Sequence, residues 1–139
     1  MHPLADPDRP ILVMLGHDFV VGFDRTDGGI LWRVELTSGK KGDFIIAGGR
    51  VFIIQANELT CLEYTTGKLL GRVELPFRDG SDHPKMVWDS GELFIMDSYT
   101  VACVSVDGRP KWTQDDLRSA GQKAAFGFPG NISRPDFTR

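Results

Sequence analysis

The chain has 139 residues, 41% hydrophobic and 25% charged, a balance that suits one globular domain with a sizeable core. A formal net charge of −3 offers no basic surface for a phosphate backbone, so nucleic acid is not an expected partner. No apolar run approaches the roughly 18–20 residues of a membrane helix, and MHPLADPDRP lacks the basic-then-apolar pattern of a leader. The expectation is a cytoplasmic protein with no membrane partner, unless the chain is cut from a longer secreted precursor.

In chain order, the first apolar run is ILVML (11–15), followed by the polar break GHD, the run FVVGFDR (19–25), and TDGGILWRVEL (26–36). That last phrase returns at 65–75 as TTGKLLGRVEL, 39 positions on. Extending the match backwards sets ILVMLGHDFVVGFDR (11–25) against RVFIIQANELTCLEY (50–64). A third copy, ELFIMDSYTVACVSVDGRPKW (92–112), follows at an offset of 42, with one residue lost before Gly108. Two copies also carry an upstream run, DFIIAGG (43–49) and KMVWDSG (85–91).

In the second copy this predicts strands at Phe44–Ala47, Val51–Ile54, Leu59–Leu62 and Leu69–Val73. Short runs rich in Val, Ile and Phe, joined by glycine turns, are hairpin signals. A weak helical period occurs only at Asp115–Ala125. VFII, LFIM, ILVML and FII are apolar at successive positions, so both faces of these sheets are expected to be covered. Four-stranded antiparallel sheets recurring every ~40 residues and covered on both faces are propeller blades. The expected fold is all-β: a single propeller domain with blade 1 at about 11–36, blade 2 at about 43–75 and blade 3 at about 85–115. A C-terminal strand-exchange segment follows at about 122–139.

FVVGFDRTDGGILW (19–32), ELTCLEYTTGKLLG (58–71) and TVACVSVDGRPKW (100–112) resemble the repeat of the pyrroloquinoline-quinone-like propellers. The resemblance implies that Gly22, Cys61 and Cys103 fill a small-residue position against which neighbouring blades pack. It implies that Trp32 and Trp112 are docking tryptophans wedged against the adjacent blade. Blade 2 has Gly71 there, so its contact is expected to be weaker or filled by another side chain. The quinone dehydrogenases of this group hold a calcium-bound cofactor with Asp, Glu and Asn and often carry a vicinal disulfide. That constellation does not map onto this chain, and other relatives with the repeat are non-catalytic scaffolds.

Three blades fall short of the roughly four to eight of a closed ring. Blade 1 lacks an innermost strand, whereas Ala124, Ala125, Phe126, Gly127 and Phe128 form a surplus strand where a fourth blade is due. That strand could complete blade 1 in its own chain or in another. The prediction is a homodimer closing a six-bladed ring, with Ala124–Phe128 of each chain completing blade 1 of its partner. The competing reading is a fragment of a longer propeller.

His2, His17 and His83 are scattered, and no metal, nucleophile-elbow or phosphate-loop spacing occurs. No catalytic residue, cofactor or metal is therefore expected. Cys61 and Cys103 read as small buried side chains. The equivalent turns Gly16–Asp18, Gln55–Asn57 and Asp97–Tyr99 should cluster on one rim. There Asp18, Asn57 and Asp97 either ring a cation or simply form turns. The longer connections Thr37–Gly42 and Pro76–Pro84 add Lys40, Lys41, Arg78, Asp79, Asp82 and His83 to this loop face, beside Tyr99. The expected function is a non-catalytic scaffold that binds another protein through that face. The alternatives are a quinone or other small-molecule-binding enzyme domain and a purely structural self-assembling unit.

Overall fold

The computed structural model describes residues 10–37, 39, 42–77, 84–97, 100–114 and 126–133. Among them there is no helix, and so none long and apolar enough to cross a membrane. The apolar runs form antiparallel meanders. Blade 1 comprises β1 (Ile11–Leu15), β2 (Phe19–Asp24) and β3 (Ile30–Glu35). Blade 2 comprises β4 (Gly42–Ala47), β5 (Arg50–Gln55), β6 (Glu58–Glu63) and β7 (Leu69–Glu74). Blade 3 comprises β8 (Lys85–Asp89), β9 (Glu92–Met96), β10 (Val101–Val104) and β11 (Pro110–Gln114). A separate hairpin of β12 (Phe126–Phe128) and β13 (Asn131–Ser133) follows, with β13 beside β8.

The same turn chemistry recurs at the 39-residue spacing. Asp24 N–H donates to Gly29 O and Gly28 N–H to Asp24 O; their counterparts are Glu63 to Lys68 and Gly67 to Glu63, all at 2.8 Å. Gly28 at φ +77° and Gly67 at φ +73° occupy the left-handed region that glycine enters without steric cost. All three blades share a bulge between the third and fourth strands, at Gly22/Phe23, Cys61/Leu62 and Cys103/Val104. The repeat in sequence is thus a repeat in backbone detail.

Two apolar seams hold the blades together. Alternation along β5 and β6 sends Val51, Ile53 and Leu62 into a cluster with Ile11, Val13, Val20, Trp32 and Leu36 of blade 1. Phe52, Ile54, Leu59 and Cys61 point the other way, into Leu93, Ile95, Ala102 and Val104 of blade 3. The continuous apolar run VFII is therefore buried on both faces, as expected. ILVML is not. Leu12 and Met14 are 63% and 46% exposed between the buried Ile11 and Val13. One face of β1 packs on blade 2, and no described blade precedes the other.

Among the described residues blade 1 has three strands and no innermost one, and β12 does not supply it: it pairs with β13, apart from β1. The described strand is Phe126–Phe128; Ala124, Ala125 and the helical possibility at 115–125 lie outside the described residues.

Candidate functional site

In blades 1 and 2 the β1–β2 and β5–β6 turns lie on the same face as the blade exits. Leu36 N–H, at the end of blade 1, donates to Asp18 O at 2.8 Å, and Leu75 N–H donates to Asn57 O at 2.7 Å. Each exit is thereby fixed beside its own blade's turn. Neighbouring turns are tied to one another as well. Buried Gln55 reaches across the first seam and donates from Nε2 to His17 O at 2.9 Å, and Thr37 Oγ1 donates to Glu58 Oε1 at 3.1 Å. Asp18 and His17 are exposed and Asn57 half-buried on this rim.

Asp97 does not join them as a third equivalent. Its N–H donates to Thr100 O as Gly16 N–H does to Phe19 O, which places it at the position of Gly16 and Gln55. It is buried, and its Oδ1 accepts from Thr100 N–H at 2.6 Å, closing its own turn. Among the described residues no group of three His, Cys, Asp or Glu side chains is arranged to hold a metal ion. Lys40, Lys41, Arg78, Asp79, Asp82, His83 and Tyr99 lie outside the described residues.

The seams carry the most specific geometry. Trp32 lies opposite Gly22 in the β2–β3 ladder and is buried against blade 2. A Cβ at Gly22 would stand 2.5 Å from its ring, and one at Gly67 of the next blade 2.7 Å from it. Its Nε1–H donates to Tyr64 O at 3.0 Å. The indole is therefore held between two glycines and anchored to the turn that contains one of them. Tyr64 adds a second tie: its hydroxyl accepts from Ile11 N–H at 3.0 Å and donates to Ile11 O at 2.9 Å.

Blade 2 fills the same position differently. Gly71 lies opposite Cys61, and no side chain replaces the indole. Instead the turn of blade 3, one residue shorter, closes in as backbone. A Cβ at Gly71 would stand 3.3 Å from Asp107 O, and one at Gly108 3.3 Å from the Cys61 Cβ. Cys61 Sγ faces Val106 O at 3.8 Å, taking the place of the indole N–H, and Arg50 pairs with Asp107 across the seam at 3.6 Å. The expected side-chain filler is thus a main-chain approach.

Three blades of this kind, with a docking tryptophan across the first seam, match a known sequence family. The sequence model for outer membrane protein assembly factor BamB fits residues 16–129. The chain belongs to this family. No curated protein matches it in sequence. Among solved structures, BamB from Moraxella catarrhalis is similar with a TM-score of 0.65 and 19% identity, over 79% of this chain and 35% of that one. The quinohemoprotein alcohol dehydrogenase ADHIIG from Pseudomonas putida HK5 gives 0.61 and 14%, over 77% of this chain and 19% of that one. Apo AztD from Citrobacter koseri gives 0.62 and 11%, over 81% and 32%. These likenesses establish the propeller fold; the chain spans about a third or less of each of these relatives.

The family's small-residue position is buried at all three blades. Burial raises the Cys61 thiol to about 11, and burial followed by the Glu92 contact raises that of Cys103. Both cysteines are free. On the far face of blade 3, Trp112 lies opposite Cys103, with Phe94 ring centroids 6.2 Å from Trp112 and 4.8 Å from Phe128. Lys111 pairs with Glu92, which lowers the Glu92 carboxyl and raises the Lys111 amine. Trp112 is 49% exposed where Trp32 is 8%. The shared bulge had no signal in the residue pattern, because its extra residues, Leu31, Leu70 and Lys111, are not of a type that marks a bulge.

Proposed function

We propose that this chain is a non-catalytic propeller scaffold that associates with a second copy of itself and binds another protein through its loop face. One observation carries the reading: among the described residues two seams between blades are complete, and the outer faces of blades 1 and 3 meet no further blade. Leu12, Met14 and Ile30 stand exposed on blade 1 and Trp112 on blade 3. Apolar surface of this kind drives association. The tied turns of the rim give a platform that exposes His17 and Asp18 to a binding partner. Membership in a family named for an assembly factor supports a role in holding proteins together rather than transforming a substrate.

Sedimentation equilibrium of the chain, with affinity capture on it, tests both halves. Mass above one chain and a partner retained by the wild type but lost on Asp18→Lys/Asn57→Lys support the reading. A monomer at all concentrations removes the self-association. An absorbance change on titration with pyrroloquinoline quinone, with turnover of an alcohol, would replace the scaffold by the enzyme reading that the quinohemoprotein neighbour represents.

A further inference from the structure

Among the described residues Trp112 is a docking tryptophan that meets no receiving turn, and the matching turn of blade 1 receives no tryptophan. In the completed seam, Trp32 rests on Gly67 and donates to Tyr64 O. The blade 1 counterparts, 39 residues earlier, are Gly28 and Arg25. The two turns carry the same hydrogen bonds and nearly the same glycine φ. They differ in cover. Gly67 is buried under the indole, whereas Gly28 is exposed and no described atom lies within 4 Å of where its Cβ would be. Trp112, in turn, has the same ladder position over Cys103 that Trp32 has over Gly22.

We propose that blade 3 of one copy docks on blade 1 of a second, with Trp112 resting on the partner's Gly28 and its indole N–H donating to the partner's Arg25 carbonyl. This deepens, and rests on, the self-association reading above. The contact continues the established series of seams, blade 1 to 2 and 2 to 3, by one more step in the same direction. The strand inventory fits the same step. The β12–β13 hairpin stands beside β8, the innermost strand of blade 3, and blade 1 is the blade that has no innermost strand among the described residues. Leu12 and Met14 would pass from water into that seam, as their blade 2 counterparts Val51 and Ile53 are buried against blade 1. The interface is heterologous, so two copies make two identical seams and six blades if the ring closes, within the roughly four to eight blades of propellers.

The test uses the full chain and three variants. Gly28→Asn keeps a residue that tolerates positive φ while filling the space over the turn. Trp112→Ala removes the indole from a half-exposed site, and Trp112→Phe keeps the ring contact with Phe94 but no N–H. By sedimentation, wild type should form a two-chain species with a concentration-dependent blue shift of tryptophan emission. Trp112→Ala and Gly28→Asn should each weaken it at least about 30-fold, as expected for an interface hot spot. Trp112→Phe should fall between, and it serves if the alanine variant does not fold. Mixing the alanine and asparagine variants should restore a heterodimer, because one intact half-seam remains on each. A wild-type dimer indifferent to these substitutions overturns this docking and leaves self-association standing. Weakening without rescue on mixing overturns the head-to-tail arrangement. A wild type that stays monomeric overturns both readings.

Discussion

At Gly67 two constraints coincide: the backbone sits at φ +73°, and a Cβ would stand 2.7 Å from the Trp32 ring. At Gly28 only the first applies. The tryptophans show the same contrast. Trp32→Phe removes the indole donor to Tyr64 O, and leaving a buried carbonyl unpaired costs about 1–3 kcal/mol. Trp112→Phe, measured on the monomer, should stay within about 0.5 kcal/mol, as surface substitutions do. Urea midpoints of the two variants at low protein concentration check this. The buried thiol gives a pH signature. The Cys61 pKa is raised in the fold from 9.0 to about 11, chiefly by burial, so the neutral thiol is favoured there more than in the unfolded chain. Its contribution is complete below about pH 9 and lost as pH rises towards about 11. Wild type should therefore lose stability over that window, and Cys61→Ala should lose less. Equal losses in urea melts would remove burial of this thiol as the cause.

Between elements, one position is solved in two ways. The first seam uses an indole between glycines; the second uses the shortened Ser105–Arg109 turn laid on Gly71 and Cys61. Gly71→Trp, which restores the family's residue, should for that reason destabilise rather than repair. With Asp107 O only 3.3 Å from the first side-chain atom, the turn must move, and overpacking of this kind costs about 1–3 kcal/mol. A raised urea midpoint would show that the turn yields freely. Most of the blade organisation was legible because a 39-residue spacing and uninterrupted runs such as VFII report burial directly. The second seam was not, because a main chain approaching a glycine leaves no side chain to read. ILVML misled for a related reason: its composition suits two covered faces, but cover depends on what lies beside it. Asp97 misled because similarity of residue type to Asp18 outweighed its place in the turn, which is that of Gly16.

Across the whole molecule, blade 2 alone among the described sheets is covered on both sides, and its central strands β5 and β6 carry the side chains of both seams. Blades 1 and 3 each lend one face to a seam. Contacts that link only neighbours make stability a sum of unit and interface terms, with the ends free to open first. Within each blade the last strand is the outermost, and β3, β7 and β11 are largely exposed. Hydrogen exchange should therefore be slowest for the amides of residues 50–63, which open only with both seams. It should be faster in 30–35 and 110–114, where one strand leaves one seam. Protection of β5 and β6 should also respond to either seam: Trp32→Phe and Gly71→Trp should each lower it, whereas each should lower the far blade less. Their effects on global stability should add within about 0.3–0.5 kcal/mol, because they act on opposite faces of blade 2. A larger coupling would mean that blade 2 is not a rigid wall between two independent seams but shifts as one seam loosens, and uniform protection along the chain would point to a single all-or-none unit.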